Sequence, residues 1–286
     1  MEITERARGF LELTRPGNAV AAGLLTFTGA FVAVEGPLPL ASVVAAIVAT
    51  VAATAAGNAV NDYFDRDVDA INRPDRPIPR GAVTARESLA FSGLLFLAAV
   101  AAAVTLPLVA LAIAVVNLLA LVAYTKLFKG TPGAGNVVVA YLTGSTFLFG
   151  SAAVGAGFPT AVVVLFLLAG VATLTREIVK DVEDLAGDRE EGLRTLPVVL
   201  GRRTALAAGA VAMVLATLAS GLPFVRGTFG VAYLALVIPA DAVMLYATAQ
   251  SFDDPSTGQR RLKLGMLLAA GAFVAGRTAT LLSLST

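Results

Sequence analysis

The chain has 286 residues, of which 57% are hydrophobic and only 14% charged, with a net charge of +1 and a mean hydropathy of +0.81. Soluble domains carry about 25% charged residues, so this composition excludes a soluble globular protein and points to an all-α, multi-pass membrane protein. With neither cysteine nor histidine, disulfides, thiolate metal sites and an imidazole base are excluded too, and nothing implies a nucleic-acid or protein partner.

The N-terminus, MEITERARGFLELTRP, mixes acids with bases and lacks the basic-then-apolar plan of a signal peptide. A short amphipathic helix lying on the membrane surface is expected there. Nine apolar runs follow, at about 16–34, 38–60, 86–104, 107–127, 134–154, 159–179, 203–222, 228–250 and 262–284. Each is close to the roughly 20 residues that cross a hydrocarbon core of about 30 Å. They are rich in Ala and Gly, which lets helices approach closely. Very short connections (EGPLP, TLP, GAGFP) make their flanking runs antiparallel hairpins.

All of the 21 Lys and Arg except Arg226 and Arg277 lie at the N-terminus or in connections on one side. The positive-inside rule then places the N-terminus and every long connection in the cytoplasm and the C-terminus outside. Arg277 and Asp241 fall inside apolar runs. A structural role is expected for Asp241, and Arg277 is expected to snorkel; their depths make mutual pairing a stretched possibility.

Two connections also concentrate acid. NDYFDRDVDAINRPDRPIPRG begins at Asn61, and KDVEDLAGDREEGLRTLP begins at Lys180. Asp62, Asp65 and Asp69 recur as Asp181, Asp184 and Asp188 at an offset of 119 residues. Arg76-Pro77-Ile78-Pro79 is echoed by Arg194-Thr195-Leu196-Pro197. This points to one domain over residues 1–286, with a weak internal repeat at about 38–104 and 159–222. In each motif the acids fall at i, i+3 and i+7, one face of a helix. Asn58 and Glu177 extend those faces one turn upstream.

Three like charges on one face repel, and two such faces opposed would be worse unless cations neutralise them. Mg²⁺ takes hard oxygen ligands and is commonly held by a few carboxylates plus substrate phosphates. The six aspartates therefore read as a diphosphate grip working through Mg²⁺ at a membrane interface. Arg73, Arg76, Arg80, Lys126, Lys129, Arg189 and Arg194 are the nearby bases suited to phosphate oxygens. Arg66, Asp67, Asp75, Glu183, Glu190 and Glu191 read as ordinary solvated charges.

The two stretches resemble the paired aspartate motifs of the intramembrane UbiA prenyltransferase superfamily, and the resemblance covers nearly the whole chain. It implies a nine-helix bundle of that type. It also implies transfer of a prenyl group from a prenyl diphosphate to an acceptor. The segments ELTRPGNAV, AINRPDRPIPRGAVT and TREIVKDVEDLAGDREEGLRTLP are most similar to the branch that joins geranylgeranyl diphosphate to geranylgeranylglyceryl phosphate. That reaction makes the second ether bond of archaeal membrane lipids.

By matching position, the resemblance implies catalytic and metal-binding roles for Asp62, Asp65 and Asp69, and for Asp181, Asp184 and Asp188. Asn58 and Asn61 accompany the first motif. Arg15 and Asn18 match a polar pair at the start of the first span. Tyr124 and Lys126 match a Tyr-x-Lys element, and Asn136 a polar position. Lys180 departs from the Asn that many relatives carry there, and contact with phosphate is one reading of it.

The expected chemistry is weakening of the allylic C1–O bond as carboxylate-held Mg²⁺ and basic side chains neutralise the leaving diphosphate. The acceptor hydroxyl then attacks C1, with Tyr63, Phe64, Tyr124 and Tyr141 as possible cation-facing rings or as plain packing. Two other readings fit the same residues. An aromatic quinone precursor is an alternative acceptor, and a transporter with carboxylate ion sites is an alternative class. Transporter sites tend to lie at the midplane on broken helices, however, and these acids cluster at helix ends.

Overall fold

The computed structural model describes residues 2–128 and 130–284, without the side chains of residues 2, 3, 72, 125, 126 and 284. Among the described residues there are helices and turns and no strands. In chain order the helices are α1 (Glu2–Leu13), α2 (Pro16–Ala33), α3 (Leu40–Asn72), α4 (Ala85–Ala103), α5 (Leu108–Ala123) and α6 (Ala134–Ala153). They continue as α7 (Thr160–Glu183), α8 (Leu185–Glu190), α9 (Leu196–Leu200), α10 (Arg202–Ala219), α11 (Leu222–Val225), α12 (Val231–Gln250) and α13 (Pro255–Leu284). Eight of these helical stretches are long and apolar enough to cross a membrane among the described residues. The run expected at 107–127 is α5, 16 residues long, continued by a π-helical turn over Tyr124–Phe128.

Two helices run well past their apolar runs. α3 is 33 residues long, about 50 Å at 1.5 Å per residue, so its last turns project beyond a hydrocarbon core of about 30 Å. No Gly or Pro interrupts it between Asn58 and Asn72, and it stops at Arg73, the residue before Pro74. The first motif is therefore helical throughout. α13 begins at Pro255, earlier than its apolar run, because Pro is suited to a first helical position. The Asp254 carboxylate there accepts from the Thr257 amide at 3.0 Å.

The second motif departs from the single face expected of it. α7 ends at Glu183, Asp184 adopts φ −84°, ψ 0°, and α8 restarts at Leu185. Asp181 thus belongs to one helix, Asp188 to the next, and Asp184 to the joint between them. A break of one residue relieves the stacking of three carboxylates that an unbroken helix would impose.

α2 and α6 approach to backbone contact at two glycines. A Cβ on Gly29 would run into the Phe147 carbonyl, and one on Gly150 into the Thr26 carbonyl. At the end away from the motifs, Val32, Phe147, Val162, Leu165, Phe229, Tyr233 and Phe273 belong to one buried cluster. Arg277 reaches the carbonyl of Val34, where α2 ends, and Asp241 accepts from Ser220 Oγ at 2.6 Å. Each has a partner other than the other, which settles the pairing question raised by their depths.

At the charged end, α1 is latched to the connection after α3. Leu13, Ala59 and Val83 form a small buried cluster with Phe10, Ile78 and Phe91 packed on it. Arg80 pairs with Glu5 at 3.0 Å and Glu12 at 2.7 Å, and Arg6 contacts Glu87. The Arg80 hydrogen bond holds Glu12 below the usual carboxylate range.

Candidate functional site

The first motif is a network of ion pairs. Asp62, only 4% exposed, accepts from Arg15 and from Arg76 Nη1 at 3.1 Å. The same Nη1 donates to Asp69 Oδ2 at 2.6 Å. One guanidinium thus bridges two carboxylates that lie two turns apart on α3, offsetting their repulsion.

Arg15 is the one non-glycine at positive φ among the described residues, at 47°. Backbone strain of this kind costs of order 1–3 kcal/mol and concentrates at functional sites. It is held from α3, where Asn58 Nδ2 donates to the Thr14 carbonyl at 2.9 Å.

In the second motif Asp181 and Asp188 are held by neutral donors instead. Asn136 Nδ2 donates to Asp181 at 2.7 Å, and Thr195 Oγ1 donates to Asp188 at 2.8 Å. Lys180 Nζ stands 3.8 Å from Asp184. Burial pushes the Asp188 carboxyl up, opposed by the Thr195 hydroxyl. Arg76 and Thr195 occupy the same place in the two motifs, each seven residues after the aspartate it binds. The equivalence is a cation in one half and a hydroxyl in the other.

Tyr124 links the halves. It is the first residue of the π-helical turn, and such turns recur at functional sites. Its hydroxyl lies within electrostatic reach of Asp65 on one side and of Glu177, Lys180 and Asp181 on the other. It also lines a cavity of about 620 Å³ between the helices, as do Asn18, Asn58 and Asn61. The deeper wall is apolar, with Phe96, Phe149 and Phe273 among its residues. Size and lining match a ligand pocket with a few convergent polar groups.

The remaining expected residues have simpler positions. Arg73 is exposed at the end of α3. The side chain of Lys126 and all of Lys129 fall outside the described residues. Of the four aromatics expected near a cation, Tyr124 lines the cavity. Tyr63 lies under the Arg66 guanidinium and meets Phe64 edge-to-face, and Tyr141 packs on Phe166. Asp67, Asp75, Glu183, Glu190 and Glu191 are exposed, as solvated charges should be.

Arg176, Lys263 and Thr173 are among the cavity residues that had no assigned role in the sequence. The first two were legible only as bases on the positive side. Asp241 also lines the cavity, with one carboxylate oxygen on Ser220 and the other buried without a partner.

The donor set of the two motifs suits a hard divalent cation, since the chain offers carboxylates there and has no histidine or cysteine. Among the described residues no three carboxylates converge closely enough to share a metal ion. In the first motif Arg15 and Arg76 stand where a cation would otherwise balance the charge.

A family model described as "UbiA prenyltransferase family" matches residues 22–276. Digeranylgeranylglyceryl phosphate synthase of Natronomonas pharaonis is 61% identical over 277 residues, covering 96% of this chain and 99% of the relative. The enzyme of that name from Haloquadratum walsbyi is 57% identical over 270 residues, 94% of each chain. A solved structure described as "Structural and mechanistic insights into the biosynthesis of Digeranylgeranylglyceryl phosphate synthase in membranes" superposes with a TM-score of 0.79 at 34% identity. It covers 96% of this chain and 99% of its own. A UbiA homolog from Archaeoglobus fulgidus, described as bound to GPP and Mg²⁺, has the same fold, with a TM-score of 0.69 at 18% identity over 94% of this chain and 99% of its own.

Proposed function

This chain belongs to the UbiA prenyltransferase family, and on that premise we propose that it transfers a geranylgeranyl group from geranylgeranyl diphosphate to geranylgeranylglyceryl phosphate. The new bond is the second ether bond of an archaeal membrane lipid. The observation that carries this reading is the 61% identity, over nearly the full length of both chains, to a digeranylgeranylglyceryl phosphate synthase.

The site's geometry fits the chemistry. Asp62, Asp65 and Asp69 on one side, and Asp181, Asp184 and Asp188 on the other, would hold Mg²⁺. Bound there, the ion supplies Lewis-acid neutralisation of the departing diphosphate. Arg76 and Arg15, which pair with the first motif here, are the cations that would bind phosphate oxygens. Lys180 and Arg73 add fixed charge on the leaving-group side. Asn58 and Asn61, which line the cavity, would border the diphosphate, and Lys126 is proposed to join them. Tyr124, between both halves, offers its ring face to the developing allylic cation. The apolar cavity below takes the prenyl tail and excludes water from C1. The acceptor oxygen forms its bond to C1 as the C1–O bond of the diphosphate breaks, and the hydroxyl proton leaves to a carboxylate, the diphosphate or water.

The positive-side bias supports a cytoplasmic N-terminus and a site opening to the cytoplasm, with the C-terminus outside. The matched pairs Asp69–Arg76 and Asp188–Thr195 support an internal repeat within a single domain.

Purified protein given labelled geranylgeranyl diphosphate, Mg²⁺ and geranylgeranylglyceryl phosphate should form labelled digeranylgeranylglyceryl phosphate. Product should vanish with EDTA and in Asp65→Ala and Asp184→Ala. Transfer to 4-hydroxybenzoate instead would overturn the acceptor while keeping the reaction class. Failure to bind the donor at all would favour a transporter.

A further inference from the structure

Arg176 and Lys263 lie in the cavity wall apart from the aspartates. Arg176 is five residues before Asp181 on α7, roughly 7–8 Å further into the bundle along the helix axis. Lys263, on α13, donates from Nζ to Asn18 Oδ1 on α2 at 3.2 Å. Both cations line the cavity where α2, α7 and α13 border it, toward the charged ends of helical stretches long and apolar enough to cross a membrane. Charged residues at such positions mark substrate pathways by default.

Their surroundings point to an anion. Arg176 uses part of its guanidinium on the buried Glu177 and has further N–H donors to offer. Lys263 engages a neutral amide rather than a carboxylate, so its full charge is available. Asn18 adds an amide N–H₂ to the same rim. Directly deeper in the wall, α2 presents Ala22 and Leu25 and α13 presents Met266 and Leu267. A charged rim above an apolar wall matches an amphiphile with one anionic head.

We propose that Arg176, Lys263 and Asn18 form the subsite for the phosphate of the lipid acceptor, separate from the aspartate-bordered site of the donor diphosphate. This rests on the function proposed above. Two polyanions held on one set of cations would repel each other, and a second pair of cations set deeper removes that conflict. The position also suits the reaction. The acceptor's free hydroxyl is on the same glycerol as its phosphate, so anchoring the phosphate beside the upper cavity brings the hydroxyl to the carbon just below the diphosphate. Arg176, Lys263 and Asn18 bind and position substrate; they take no part in bond making.

The test compares the unsubstituted enzyme with Arg176→Gln, Lys263→Gln and Lys263→Arg, using geranylgeranylglyceryl phosphate and its dephosphorylated counterpart, geranylgeranylglycerol. Each Gln variant should raise the KM for the phosphorylated acceptor roughly 10- to 100-fold, the loss of a charge-assisted contact. The donor KM should stay within about twofold. Preference for the phosphorylated acceptor should shrink by the same factor, and Lys263→Arg should retain most of it. Equal losses with both acceptors, or a rise confined to the donor KM, would overturn the assignment. Inorganic phosphate that competes with neither acceptor, while the Gln variants lose the preference, is the result expected of a headgroup subsite. Loss of phosphate inhibition with acceptor KM unchanged would make it a free-phosphate site and overturn the proposal.

Arg176→Gln leaves Glu177 unpaired and can fail to fold; the exposed Lys263 provides the decisive variant. Equilibrium binding of labelled geranylgeranylglyceryl phosphate without donor is independent of turnover. Equal binding by Lys263→Gln and the unsubstituted protein would overturn the subsite. No transfer to either acceptor, with donor binding intact, would overturn the proposed function instead.

Discussion

Arg76→Gln removes the bridge between Asp62 and Asp69, and its consequence can be worked from the geometry. The Arg76 side chain is 19% exposed and the side chains of Asp62 and Asp69 are 5% and 9% exposed. Removing one partner of a buried ion pair typically costs about 3–5 kcal/mol. Asp62 retains Arg15 and Arg76 is partly solvated, so about 2 kcal/mol is the expected loss for the metal-free protein. For a chain of this size that is a fall of roughly 4–8 °C in melting temperature. A divalent cation supplies the missing charge. Mg²⁺ should therefore stabilise the variant more than the unsubstituted protein and close most of the gap. The assay is thermal unfolding in detergent by circular dichroism, with EDTA or with millimolar Mg²⁺. Equal Mg²⁺-induced shifts in the two proteins would refute the idea that arginine and metal serve the same carboxylates. So would an unchanged melting temperature in EDTA.

Three further outcomes follow from other contacts. Gly150→Ala puts a methyl group against the Thr26 carbonyl and should cost about 1–3 kcal/mol, seen as a lower melting temperature with donor KM little changed. Thr195→Val removes the hydroxyl that opposes the burial-driven rise at Asp188; the carboxylate form is then lost at higher pH, so the acidic limb of the pH–rate profile should move upward. The sign for stability is the opposite of a salt-bridged acid: a raised folded value favours the protonated state, so Asp188 opposes folding as pH rises through that value. Glu12→Gln should lower stability slightly at pH 7, within the range of about 0–1 kcal/mol for exposed pairs. Arg80 holds the Glu12 value down, so this difference should disappear as pH falls through it, which melts at pH 7 and in acid will show.

Sequence and structure part most clearly at the aspartates. Their spacing is the same in both halves, yet α3 carries its motif on one unbroken helix while the other half breaks at Asp184. Helical periodicity is a local property and is the same in both. The break and its hydrogen bonds depend on what folds back onto the motif, an arginine at position 76 and a threonine at position 195.

Composition and pattern alone determined that the chain is a helical membrane protein, where its charge lies, and which two segments carry the paired aspartates. Hydropathy, charge sidedness and residue spacing are written in consecutive residues, and the solvent they must satisfy is the same for every helix. Tertiary structure decided the rest. It made Arg15 and Arg76 counter-ions of Asp62 and turned Arg80 away to α1. Of four aromatics it set Tyr124 on the cavity wall. It also brought Lys263 to Asn18 across 245 positions of sequence. These depend on how far each helix is rotated and which neighbour it packs against, and on cations long enough to choose between carboxylates, none of which a single helix's periodicity contains.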